Sequence, residues 1–264
     1  MQGRVLVVAG SDSGGGAGIQ ADIKTITALG GYAATAITAL TAQDTRGVYG
    51  IMAVPAAFVR AQMRAVLDDI GADVVKTGML GDAALIDEVC DVLGADRCVV
   101  VDPVMVATSG ARLLDPAAVD TLRRRLLPLA TVLTPNVPEA EALTGMSIAN
   151  EADMAEAARM LLAMGPKAVL LKGGHLDGES CADLLLTAEG TETFRAPRIA
   201  TRNTHGTGCT LASAIAAGLA QNMDLIAAVT RAHAYVQSAI ASAPGYGGGY
   251  GPLDHATWAV SRSA

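Results

Sequence analysis

Short, unbroken apolar runs alternate along this chain with longer segments whose apolar residues recur at helical spacing. Arg4 to Ala9, Tyr32 to Leu40, Asp73 to Lys76, Cys98 to Val101, Thr131 to Leu133 and Lys167 to Leu171 have the length and apolar content of buried parallel strands. Between them lie helical patterns: Ile19 to Leu29, the stripe Val59, Met63, Val66, Leu67 and Ile70, the segment Asp82 to Leu93, and the stripes Val119, Leu122, Leu126 and Met154, Ala158, Leu161, Leu162. Asp183 to Thr187 and Thr191 to Phe194, flanking Glu189-Gly190, predict a β-hairpin. A last long helix is expected over about Asp224 to Ser242, followed by a glycine-rich tail, Pro244 to Pro252, read as a flexible flap or cap. Strand–helix alternation of this kind predicts an α/β fold: a mainly parallel sheet with helices on both faces. With no repeat, long linker or composition break, residues 1–264 are read as a single domain.

The polar positions gather where these strands end. Gly10 to Gly18 follows the first strand, Thr41-Ala42-Gln43-Asp44-Thr45 the second, and Asp102, Asn136 to Glu139 and Lys172-Gly173-Gly174-His175 follow later ones. Open α/β sheets bind ligands at that edge. The segment His205 to Leu219 organises the rest. Its two glycines, Gly206 and Gly208, lead into an Ala/Leu/Ile helix whose first turn carries unpaired N–H groups and the positive dipole end, a setting suited to phosphate. Cys209 lies where those amides converge, a position that usually lowers a thiol pKa; the alternative is a packing turn with a structural cysteine.

Each candidate has a second reading. Asp102 and Glu139 suit Mg2+ held through water and phosphate, or else a turn cap and a helix N-terminus. Lys172 suits a phosphate, or a solvated strand end. Gln43 offers a donor and an acceptor to a heterocycle. His175 and His205 are read as polar turn residues. Gly16 to Ala21 matches the dinucleotide pattern GxGxxA but begins several residues after the strand, which argues against a nicotinamide site.

Composition narrows the classes. The net charge of −7 argues against nucleic-acid and membrane-surface partners. No apolar run has membrane-spanning length. Met1-Gln2-Gly3-Arg4 enters a strand without a signal-peptide layout. The 4 cysteines, Cys90, Cys98, Cys181 and Cys209, include no CxxC pair, so a reducing cytoplasm is expected.

Taken together, several blocks carry a family likeness: Ala9 to Thr25, Thr38 to Thr45, Lys76-Thr77-Gly78-Met79-Leu80, Val101 to Met105, Thr134 to Glu141, Leu171 to His175 and His205 to Thr210. In this order, over nearly the whole chain, they resemble the hydroxymethylpyrimidine/phosphomethylpyrimidine kinases of thiamine biosynthesis, in the ribokinase superfamily. The resemblance implies a ribokinase-like three-layer α/β/α sandwich. It implies that ATP with Mg2+ phosphorylates 4-amino-5-hydroxymethyl-2-methylpyrimidine and then its monophosphate. By the same resemblance Gln43 binds the pyrimidine with Gly10, Asp22 and Met79 around it. Asn136 and Glu139 form the NxxE motif that organises Mg2+, with Asp102 alongside. Lys172, Asn136, Thr204 and Gly208 serve the nucleotide, Gly206, Thr207, Gly208 and Cys209 form the anion hole, and Cys209 is the catalytic base. A homodimer is implied as well. Asp44 stands where Asn is frequent, Thr77 replaces a usual aliphatic residue, and Gly249 to His255 is a loose form of the family's ending. The alternatives are a pyridoxal kinase of the same superfamily, a non-catalytic metabolite-binding regulator and, more distantly, a dinucleotide oxidoreductase.

Overall fold

The computed structural model describes residues 1–107 and 110–258. Among these residues nine strands form one sheet in the order β3-β2-β1-β4-β5-β6-β7-β8-β9. They are β1 (Arg4–Asp12), β2 (Tyr32–Gln43), β3 (Val48–Ala53), β4 (Val74–Thr77), β5 (Val99–Val101), β6 (Val132–Leu133), β7 (Ala168–Leu171), β8 (Ser180–Thr187) and β9 (Thr191–Pro197). From β2 through β7 all neighbours are parallel, as the apolar runs predict. The expected hairpin is β8–β9, which extends the sheet antiparallel on one side. On the other side β3 pairs antiparallel with β2, and the sequence pattern does not reveal it. Its residues are exposed or nearly so, so no apolar run marks them.

The helices are α1 (Gly18–Ala28), α2 (Ala56–Asp69), α3 (Ala83–Leu93), α4 (Val119–Thr121), α5 (Val137–Thr144), α6 (Glu151–Leu162), α7 (Thr207–Ala220) and α8 (Leu225–Ala241). α4 is one turn within a stretch, 116–129, whose other turns are tighter or wider than an α-helix. Two cores lie on opposite sheet faces. Alternation along β1 sends Leu6 and Val8 to one, beneath Met63, Ile86 and Leu161, and Val5, Val7 and Ala9 to the other, beneath Ile26, Ile215 and Tyr235. This is the three-layer sandwich expected. Among the described residues no helix is long and apolar enough to cross a membrane.

Of the two readings of the glycine-rich tail, flexible flap or cap, the hydrogen bonds favour the cap. Tyr250 N–H donates to the Thr45 carbonyl at 2.7 Å and His205 N–H to that of Gly251 at 3.1 Å. A Cβ at Gly249 would stand 2.0 Å from the Thr45 carbonyl oxygen, so glycine is what lets the two backbones touch. The tail is a packed cap that joins the β2–β3 turn to the loop before α7.

Candidate active site

The parallel strands deliver their polar ends to one cavity of about 880 Å³, within the range of small-molecule sites. Gly10, Gln43, Met79, Asp102, Asn136, Glu139, Lys172, Thr204 and the turn Gly206 to Cys209 all line it. The sequence scatters these residues over almost the whole chain, and the sheet gathers them.

The turn before α7 has the donors of an anion cradle. Gly206 is the N-cap, with φ +84°, and a Cβ there would lie 1.9 Å from the Gly16 carbonyl oxygen. Only glycine fits so close a backbone crossing. Among the described residues, the N–H groups of Gly206, Gly208 and Cys209 have no protein acceptor. Thr207 is a correction. Its N–H and hydroxyl both donate to the Thr204 carbonyl, at 3.3 and 2.8 Å, so it closes the turn and is no free donor. The cradle is narrow: a Cβ at Gly208 would stand 3.1 Å from Lys172 Nζ and 3.7 Å from an Asp102 oxygen.

Lys172 donates to Asp102 Oδ1 at 3.1 Å and lies 4.0 Å from Glu139 Oε2. Burial disfavours its ammonium, but the charges of Asp102 and Glu139 outweigh that and raise its pKa. Glu139 closes a capping box at the start of α5. Its N–H donates to Asn136 Oδ1 and its Oε2 accepts the Asn136 N–H, both at 2.8 Å. Burial, reinforced by Asp102 and opposed by Lys172, pushes the Glu139 carboxyl up to about 7. Asp102 Oδ1 also accepts from Thr134 Oγ1 at 3.3 Å. Among the described residues no group of three or more His, Cys, Asp or Glu side chains is placed to hold a metal. Two carboxylates beside a turn with unpaired backbone amides nevertheless fit Mg2+, which keeps its waters and takes phosphate oxygens as ligands.

Cys209 departs from expectation. Its helix-terminal position predicts an acidic thiol, yet burial pushes it up to about 12, against the pull of Lys76 and with Asp22 and Asp102 adding to the rise. Asp22 departs too. It is fully buried and does not reach the cavity wall; its Oδ1 accepts Lys76 Nζ at 2.9 Å and Ser213 Oγ at 2.7 Å. Lys76 is the residue that sequence reasoning missed, although a lone lysine inside an apolar strand was the available signal.

Asp12 orders the opposite rim. Its oxygens accept the N–H groups of Gly14, Gly16 and Ala17 at 2.8, 3.0 and 2.8 Å, and Oδ2 lies 2.9 Å from His205 Nε2. Burial opposes its charge, but these bonds prevail and hold the carboxyl at about 2. His205 is therefore the turn residue expected, tying the N-terminal loop to the cradle. Gln43 stands beside Asp12. His175 lines the cavity, its basicity lowered by burial and by Lys172 and Arg198.

A parallel sheet that brings a backbone anion cradle, a lysine and paired carboxylates to one edge defines a kinase of the ribokinase-like fold. The family described as phosphomethylpyrimidine kinase matches residues 12–254. A hydroxymethylpyrimidine/phosphomethylpyrimidine kinase of Streptomyces coelicolor is 52% identical over 259 residues, which are 98% of this chain and 96% of that protein. A bifunctional thiamine biosynthesis protein of Geobacter sulfurreducens is 55% identical over 256 residues, 96% of this chain; the chain spans only 52% of its length. Among solved structures, an ADP complex of Bacillus subtilis pyridoxal kinase superposes with a TM-score of 0.91 at 35% identity, covering 98% of this chain and 100% of that one. The chain belongs to the phosphomethylpyrimidine kinase family and is an ATP-dependent kinase.

Proposed function

We propose that this kinase transfers the γ-phosphoryl group of ATP to the hydroxymethyl group of 4-amino-5-hydroxymethyl-2-methylpyrimidine, and a second phosphoryl group to the resulting monophosphate. One observation carries the reading: among the described residues the N–H groups of Gly206, Gly208 and Cys209 are unpaired, and these residues line a single cavity together with Lys172 and Gln43. The higher identity to a pyrimidine kinase, 52% against 35% for the pyridoxal kinase, supports the pyrimidine substrate.

In this reading Gln43 pairs with the ring and Met79 packs beside Gly10, where a Cβ would come within 3.1 Å of the Met79 sulfur. The cradle amides and Lys172 take up charge that spreads over the migrating phosphoryl group. Cys209, in its thiolate form, receives the hydroxyl proton. Asp102 and Glu139 would hold Mg2+, which when bound neutralises phosphate charge. The family likeness also carries a homodimer, and exposed Tyr49, Ile51 and Met52 on β3 support such a contact.

Incubation with ATP, Mg2+ and the pyrimidine alcohol is expected to give mono- and diphosphate, read by mass spectrometry. Phosphorylation of pyridoxal alone, with the pyrimidine untouched, would reverse the assignment.

A further inference from the structure

Lys76 sits in β4 with none of its surface exposed. An ammonium so far from water needs a charge partner and hydrogen bonds. Asp22 of α1, equally buried, provides the charge, and Ser213 of α7 donates to the same carboxylate oxygen. Three elements therefore meet at one ion pair. The pair lies directly beneath the cavity: a Cβ at Gly78, a lining residue, would stand 3.3 Å from Lys76 Nζ. Ser213 follows Cys209 by four residues, so the two share a face of α7. Among the described residues Asp22 Oδ2 has no hydrogen-bond partner. A buried ion pair is seldom more stable than apolar residues of similar volume, so holding the helices together does not by itself call for this one.

We propose that Lys76 is a positioning residue for phosphoryl transfer: paired with Asp22, whose carboxylate Ser213 ties to α7, it sets the first turns of α7 and fixes a positive charge beneath Cys209. The proposal rests on the kinase reading above and adds a residue to it. The charged groups around the Cys209 sulfur are Lys76 from β4, Asp22 from α1, Asp102 after β5 and Lys172 after β7. Lys76 favours the thiolate there, and Asp22 opposes it.

The two members of the pair therefore have opposite effects on Cys209, which locates their charges beside the sulfur, while the kcat-against-KM split separates positioning from a purely structural role. The test is the rate of Cys209 alkylation by iodoacetamide in ligand-free protein at one mildly alkaline pH, read on the Cys209 peptide by mass spectrometry. Asp22→Asn, which keeps the shape and the Ser213 acceptor, is expected to speed alkylation about threefold or more, and Lys76→Met to slow it by a similar factor. Shifts in the same direction, or no shift in either, overturn the proposal. Should Lys76→Met not fold, Asp22→Asn decides: acceleration supports the proposal, while slowing or no change rejects it. In folded Lys76→Met, kcat is expected to fall about tenfold with KM for ATP unchanged; an unaltered kcat also rejects it. The alkylation arm contains no substrate, so its outcome is independent of the kinase reading.

Discussion

Replacing Cys209 by Ala is expected to lower kcat by about two decades or more while leaving KM for ATP within a few-fold, the pattern for losing general-base assistance. Cys209 lines the cavity, and among the described residues the N–H groups of Gly206, Gly208 and Cys209 are unpaired, so the substitution would remove the proposed proton acceptor and keep those backbone donors. The sign of the pH dependence follows from the raised pKa. A thiol pushed up to about 12 is protonated throughout the neutral range, and its thiolate grows only as pH rises. Native kcat is therefore expected to keep rising through mildly alkaline pH, and that of Cys209→Ala to stay flat. Steady-state kinetics across pH check both. Near-native turnover in the variant removes Cys209 from the chemistry.

Lys172→Met is expected to cost about 10²–10³-fold in kcat/KM, comparable to deleting a preorganised donor at a developing charge. The native ammonium lies between Asp102 and Glu139 and close against Gly208. Without it, the two carboxylates face the incoming polyphosphate without the lysine ammonium that lies against both. Lys172→Arg is not expected to restore activity, because the broad guanidinium has no room beside Gly208. Kinetics alongside a thermal melt separate this loss from unfolding; retained kcat/KM in folded Lys172→Met contradicts the role.

The parallel sheet was legible because its central strands, β1 and β4 to β7, are buried on both faces and so appear as plain apolar runs, as in Val99–Val101. β3 was hidden because it has no buried face to leave a pattern. Most of the cavity was legible for a related reason. Gln43 ends a strand and Asp102, Asn136 and Lys172 follow strands, and in a parallel sheet that alone sends them to one edge. What the sequence does not encode locally is side-chain direction and solvation. Asp22, early in α1, was expected at the cavity wall, but the helix turns it inward to Lys76. Cys209 has the helix position of an acidic thiol, and burial near Asp22 and Asp102 reverses that. Thr207 belongs to the cradle motif, yet its amide closes the turn on Thr204.

A structure with ADP, Mg2+ and aluminium fluoride, a mimic of the migrating phosphoryl group, reaches the central claim most directly. Fluoride ligands are expected at about 2.7–3.1 Å from the backbone nitrogens of Gly208 and Cys209, with Lys172 against the same ion. An aluminium fluoride ion seated elsewhere in the cavity, with those two amides bonded to water or protein, would contradict it.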